Sequence, residues 1–183
     1  MSVAGDGGPF VSGPHLVREV HPEMATALGS LWLDVVRTGG AVRFRLDTPE
    51  ETVRAAAEQE IEQVRARRQQ LLVLGADHTL VGTVFLRRGE WINAEHRAEV
   101  FLLMVRPDLQ RRGWGTVLLD AAVAHARALG LEQLLLATRG GTSLPAFYTA
   151  RGWTEVGVWP DALRIAPDDL RDEHWLQLRL GRS

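Results

Sequence analysis

The run Val105-Arg106-Pro107-Asp108-Leu109-Gln110-Arg111-Arg112-Gly113-Trp114-Gly115 joins a stretch patterned as a strand to one patterned as a helix. Its residue types suit the holding of a diphosphate. Glycine lets a backbone turn tightly and approach a ligand closely. The first N–H groups of the helix that follows lack internal partners, and with the helix dipole they favour an anion. Arg111 and Arg112 add fixed positive charge at the mouth. Other loops of this kind fit less well. A dinucleotide-binding loop needs a third glycine, where this chain has Leu118, and a Walker loop needs a lysine, which the chain lacks. An ordinary strand-to-helix turn with an incidental Gly-x-Gly is the plain alternative.

The elements that must position this loop follow from periodicity. Residues 1–14 are rich in Gly and Pro without a period and suggest a loose extension, with one domain over residues 15–183. Residues 15–20 suit a short strand. Pro22 then opens a helix carrying Met24, Leu28, Leu31, Trp32, Val35 and Val36, which Gly39-Gly40 stop. Thr48-Pro49-Glu50-Glu51 has the form of a capping box, followed by an apolar stripe of Val53, Ala57, Ile61 and Val64. The period then shortens. Strands are expected at 71–74 and 80–86 around a turn at Ala76-Asp77-His78-Thr79, and at 99–105, ended by Pro107. A helix at 113–129 capped by Gly130, a strand at 134–138, a short helix at 143–150 and strands at 153–159 and 173–180 complete the chain, with a loop holding Pro160 and Pro167 between the last two. The order is β-α-α-β-β-β-α-β-α-β-β, an α/β chain with no internal repeat.

Composition narrows the chemistry. All 21 basic residues are arginine and there is no cysteine, so lysine Schiff bases, cysteine nucleophiles, disulfides and thiolate metal sites are excluded. The net charge of −2 argues against bulk nucleic-acid binding, and no apolar stretch is long enough to span a membrane. No basic and apolar leader opens the chain, which suggests a cytoplasmic protein. The six histidines show no metal-ligand spacing, so no metal is expected.

Gln110-Arg111-Arg112-Gly113-Trp114-Gly115, after an apolar strand ending in Met104-Val105, resembles the acyl-CoA signature of the GNAT superfamily of N-acetyltransferases. Ala146-Phe147-Tyr148-Thr149-Ala150-Arg151-Gly152-Trp153 is similar to the family's second signature, and the element order agrees over residues 15–180. Residues 31–41, Arg97-Ala98-Glu99-Val100 and Gly140-Gly141-Thr142-Ser143 resemble the tabtoxin-resistance acetyltransferase branch, whose members acetylate the amine of an amino-acid-like antibiotic.

The resemblance implies a twisted, mostly antiparallel sheet of about seven strands flanked by about four helices, with acetyl-CoA as co-substrate. It implies a β-bulge in the strand at 99–105 that frees backbone N–H groups near Met104 and Val105, one of which can hold a developing oxyanion. Leu103, Met104 and Val105 would run along the pantetheine arm by their backbone, while their side chains pack in the core. Arg111, Arg112, Gly113, Trp114, Gly115 and Thr116 would seat the diphosphate. Tyr148, the chain's single tyrosine, occupies the position of the acid that protonates the leaving thiolate; its plainer role is a half-buried aromatic. Glu99 opens an otherwise apolar strand and is the expected base, directly or through a water; the alternatives are a solvated strand-end charge or an ion pair with Arg97. Glu90, Trp91 and Glu95 are expected to meet the substrate.

The chain departs from its relatives at Leu136-Ala137-Thr138, where an acidic residue is common, and at Gly141, where an asparagine is common. His96 lies in the loop near the expected cleft and could assist proton transfer. Three functions fit: transfer of acetyl to a small-molecule amine, transfer to a protein N-terminus or lysine, and non-catalytic CoA binding. The acidic loop favours a compact cation. Dimers are common in the superfamily, and a homodimer is admissible although no segment specifies one.

Overall fold

Each amphipathic stripe of the chain finds its expected element. In the computed structural model, which describes residues 9–181, Val53, Ala57, Ile61 and Val64 are the buried stripe of α2 (Glu50–Arg65). Leu28, Leu31, Trp32, Val35 and Val36 are buried along α1 (Met24–Arg37). The strands are β1 (Val11–Leu16), β2 (Gln69–Ala76), β3 (Thr79–Arg88), β4 (Arg97–Val105), β5 (Gln133–Arg139), β6 (Thr154–Ala166) and β7 (Asp169–Arg179), with helices α3 (Trp114–Ala128) and α4 (Leu144–Thr149) between them. Among the described residues these make a mixed sheet of seven strands in the order β1-β2-β3-β4-β5-β7-β6, with four α-helices. No helix among the described residues is long and apolar enough to cross a membrane. The chain forms two compact units: the described residues up to Arg87 together with Leu102–Ala124, and Arg88–Phe101 together with the described residues from His125 on.

In the first unit, β2 and β3 form a hairpin whose turn residues Asp77 and His78 have φ of 47° and 62°. Left-handed values at both central positions match the right-handed twist of the flanking strands. The loop after α1 folds back on Trp32. The Trp32 indole N–H donates to the Val42 carbonyl at 2.8 Å, and the ring meets Phe44 at 5.1 Å. Glu60 on α2 is buried, where helical periodicity alone places a solvated charge. It accepts from Arg43 at 2.6 Å and from the Gln69 amide at 2.7 Å, which offsets the cost of removing it from water.

Three local expectations are corrected. β1 begins at Val11, so residues 11–14 belong to a strand and not to an extension; residues 1–8 lie outside the described residues. The capping box does not form. Thr48 Oγ1 accepts from the Arg45 N–H at 3.1 Å, and Pro49 itself is the N-cap of α2 with no side-chain cap. Finally, β6 runs through Pro160 to Ala166 where a loop was expected. The strand is at the sheet edge, where proline's missing N–H leaves no ladder bond unmade, and its register shifts between Trp159 and Leu163.

In the second unit, Leu134, Leu136 and Leu176 are buried on one face of the β5–β7 pair, and α4 follows β5. A Cβ at Gly152, just past α4, would sit 3.9 Å from Leu178 Cδ1, so α4 packs on that same face. Gly152 has φ 83° and ends the helix in the left-handed conformation.

Candidate active site

The first unit carries the loop expected to seat a diphosphate. Pro107–Leu109 form a single 3₁₀ turn after β4. The Gln110 side-chain amide then donates back to the Val105 carbonyl at 2.9 Å and ties the loop to its strand. Arg106 forks onto Asp108 at 2.7 and 2.9 Å; that bond first, and the charge of Arg112 after it, hold the Asp108 carboxyl below its ordinary value. Arg111 and Arg112 are exposed. Arg111 and Gly113 both take left-handed φ, 59° and 87°, and nothing lies within 4 Å of a Cβ placed on Gly113. The first helical hydrogen bond shown at this end runs from Val117 N to Gly113 O at 3.1 Å, so the amides ahead of it lie at the open end of the helix. An open glycine face, helix-end amides and two exposed guanidiniums fit a diphosphate.

Upstream, Met104 and Val105 are buried and Leu103 is half-buried, as expected of core side chains. The irregularity in β4 lies at Leu102, with φ 46°, two residues before the expected position. A leucine held there costs about 1–2 kcal/mol of strain. The Leu102 carbonyl accepts from buried Thr83 Oγ1 at 3.0 Å, a bond made by a side chain and not by the ladder.

The second unit carries the groups expected to move protons. Glu99 is half-buried and sits beside Leu135, at the end of a parallel register of β4 with β5 that covers Arg97 to Glu99. Tyr148 is buried, with its ring edge-on to Phe147 at 5.0 Å and to Trp153 at 6.0 Å. Leu178, which a Cβ on Gly152 would touch, lies on the face of the β5–β7 pair opposite the Glu99 side. Desolvation pushes the Tyr148 phenol up to about 12. Its acid form is therefore kept across the working range.

Because Tyr148 is the chain's single tyrosine, the tyrosinate absorbance reports on it alone. The midpoint is expected near 12 in the folded protein and near the ordinary value of 10.0 in urea. The raised value means that ionisation favours unfolding. Stability is full below pH 10 and falls by up to about 3 kcal/mol as pH climbs towards 12. A midpoint at the ordinary value in the folded protein would show an open, solvated phenol.

The loop between β3 and β4 is closed by Gly89 N to Arg97 O at 3.1 Å and Ala94 N to Trp91 O at 2.8 Å. Trp91 is 76% and Ile92 87% exposed, so Trp91 does not anchor the loop, and Glu90 and Glu95 are exposed beside them. His96 accepts from the Gln133 amide at 3.0 Å, whose oxygen is in turn taken by Gln177, which commits one ring nitrogen to a structural bond. Gly141 has φ 68°, a left-handed conformation that favours glycine, and a Cβ there would displace only the guanidinium end of Arg171. Arg139 and Trp175, which no motif marks, share the Glu99 face; only the alternation along β5 and β7 could have flagged them. Among the described residues no group of three or more His, Asp or Glu could hold a metal ion.

Known proteins share the fold that carries these residues. A mycothiol acetyltransferase from Propionibacterium freudenreichii subsp. shermanii is 38% identical over 69 residues, which is 35% of this chain and 22% of that enzyme's length. A phosphinothricin acetyltransferase of the GNAT superfamily from Sinorhizobium meliloti, solved in complex with AcCoA, superposes with a TM-score of 0.74 at 17% identity, covering 91% of this chain and 88% of that one. A ribosomal-protein-alanine N-acetyltransferase from Brucella melitensis gives 0.73 at 18% identity, covering 90% and 99%. At such identities the two structures speak for the fold alone. The family model described as Acetyltransferase (GNAT) family matches residues 41–153, well over half of the chain, and this protein belongs to that family.

Proposed function

We propose that this chain moves the acetyl group of acetyl-CoA onto the primary amine of a small molecule, in the cytoplasm, where that thioester is available. The observation that carries the reading is the open Gly113 end of α3, flanked by exposed Arg111 and Arg112 and built directly onto β4. Residues 111–116 hold the diphosphate, and the backbone of Leu103, Met104 and Val105 runs along the pantetheine arm. The left-handed turn at Leu102 supports a break in the ladder from which a nearby N–H stabilises the oxyanion.

In the reaction, Glu99 takes a proton from the ammonium group, directly or through water. The amine nitrogen attacks the thioester carbonyl, the C–S bond breaks, the thiolate takes the Tyr148 proton, and the second proton shed by the new amide nitrogen restores the phenol. The net change is ammonium plus acetyl-CoA to amide, free CoA thiol and one proton. The resemblance of residues 31–41, 97–100 and 140–143 to the tabtoxin-resistance branch supports the small-acceptor reading.

One observation favours a peptide acceptor instead: the bare Trp91-Ile92 pair offers contact area beyond what a small cation uses. Release of CoA thiol from acetyl-CoA, followed over a panel of amino acids, aminated antibiotics and short peptides, separates the readings. Turnover on the small amines is expected. Turnover on peptides alone would reverse the choice of acceptor, and thermal stabilisation by acetyl-CoA with no thiol release on any amine would remove the enzymatic reading.

A further inference from the structure

Strand register in the second unit sets a row of side chains on the Glu99 face of the sheet. Leu135 lies beside Glu99, Ala137 beside Trp175, and Arg139 beside Glu173, which in turn neighbours Trp159. Directly paired residues point to the same side of a sheet. Glu99, Ala137, Arg139, Glu173 and Trp175 are all half-buried and Trp159 is exposed, while the opposite face is closed by Leu134, Leu136 and Leu176. The short Ala137 side chain is paired with Trp175 midway along this row, with the Glu99 carboxylate towards one end and the Arg139 guanidinium at the other.

The arginine end sets two guanidiniums within each other's field. Burial first, and the positive charge of Arg171 after it, pull the Arg139 guanidinium below its ordinary value, against the charge of Asp169. Arg171 itself forks onto Asp169 at 2.5 and 3.1 Å, and its guanidinium end lies beside Gly141. Two guanidiniums that repel each other are relieved by a shared anion. Glu173 and Asp169 leave the patch nearly neutral overall, so recognition here comes from the geometry of planar forks and not from net charge.

Glu99 is level with Leu135, and Arg139 lies four residues further along β5, a rise of roughly 13 Å. Extended glutamate and arginine arms reaching towards one another shorten that span to an amine and an acid joined by several bonds. We infer that this face is the acceptor subsite, in which Arg139, assisted by Arg171, binds a carboxylate of the acceptor several bonds from the amine delivered to Glu99, with Trp175 as the apolar wall. The inference rests on Glu99 as the base and names the class of acceptor: ω-amino acids and amino acids with a distal carboxylate.

The test measures kcat/KM for acetyl transfer to the series from glycine to 6-aminohexanoate, and to alkylamines of matched length. The wild-type enzyme is expected to prefer the acids of intermediate length over their alkylamines by about tenfold to a hundredfold, the worth of a charge-assisted contact. That ratio falls to near one in Arg139→Gln, and Arg139→Lys recovers part of it, which a merely structural role for Arg139 does not predict. Equal use of acids and alkylamines by the wild type, or an unchanged ratio in Arg139→Gln, overturns the subsite and leaves the acetyltransferase reading standing. Absence of turnover on either series, with acetyl-CoA still bound, overturns both.

Discussion

Tyr148→Phe is expected to lower kcat about hundredfold while the KM for acetyl-CoA stays within about twofold, the signature of a lost proton donor and not of lost binding. The expectation follows from what the substitution removes. The ring remains, with its edge contacts to Phe147 and Trp153, so the packing that places α4 against β7 survives. Only the hydroxyl goes. The buried phenol, pushed up to about 12, stays protonated at any ordinary working pH; burial also makes it a weaker acid than a free tyrosine, so its proton moves only as the C–S bond breaks, and without it the departing thiolate takes its proton from water. The wild-type kcat should therefore show no alkaline fall from this group below about pH 10. Single-turnover kinetics read the chemical step without product release. An unchanged rate in the variant would return Tyr148 to the role of a packed aromatic.

Glu99→Gln is expected to cost more, about a hundredfold to a thousandfold in kcat/KM at neutral pH. The substitution keeps size and polarity at a half-buried position but ends the capacity to accept a proton. The sign of the pH dependence distinguishes this loss from a damaged fold. Without a base, turnover is limited by the fraction of amine that is already neutral, so the variant's rate should climb about tenfold per pH unit until the amine itself has titrated, near pH 10 for an alkylamine. A variant that keeps its rate at neutral pH, or that is slow at every pH, contradicts the assignment.

The sequence exposes most of what repeats and little of what happens once. The α2 stripe Val53, Ala57, Ile61 and Val64 is legible because a period of 3.6 leaves no second solution, and all four residues are buried. The hairpin at Asp77-His78 is legible for a similar reason, since both residue types occur in left-handed conformations when a short turn requires them. Leu102 was not legible. Leucine has no local preference for φ 46°, so only the surrounding structure can hold it there. Glu60 reads as a surface charge, because its partners Arg43 and Gln69 come from outside α2. Pro160 suggests the end of a strand until β6 is known to be an edge. In the candidate site, the loop and the aromatic helix are contiguous motifs and were found. The row from Glu99 to Arg139 consists of residues from three strands and exists only through register.

The tether from Gln110 to the Val105 carbonyl, together with the Arg106–Asp108 fork, bears on how tightly a diphosphate is held. A segment that must be organised when its guest arrives loses conformational freedom at that moment, and the loss is subtracted from affinity. Here the shape of the receptacle is decided when the protein folds. In the proposed role, an arriving anion would meet backbone amides already in position, and only the exposed arms of Arg111 and Arg112 would still have to settle.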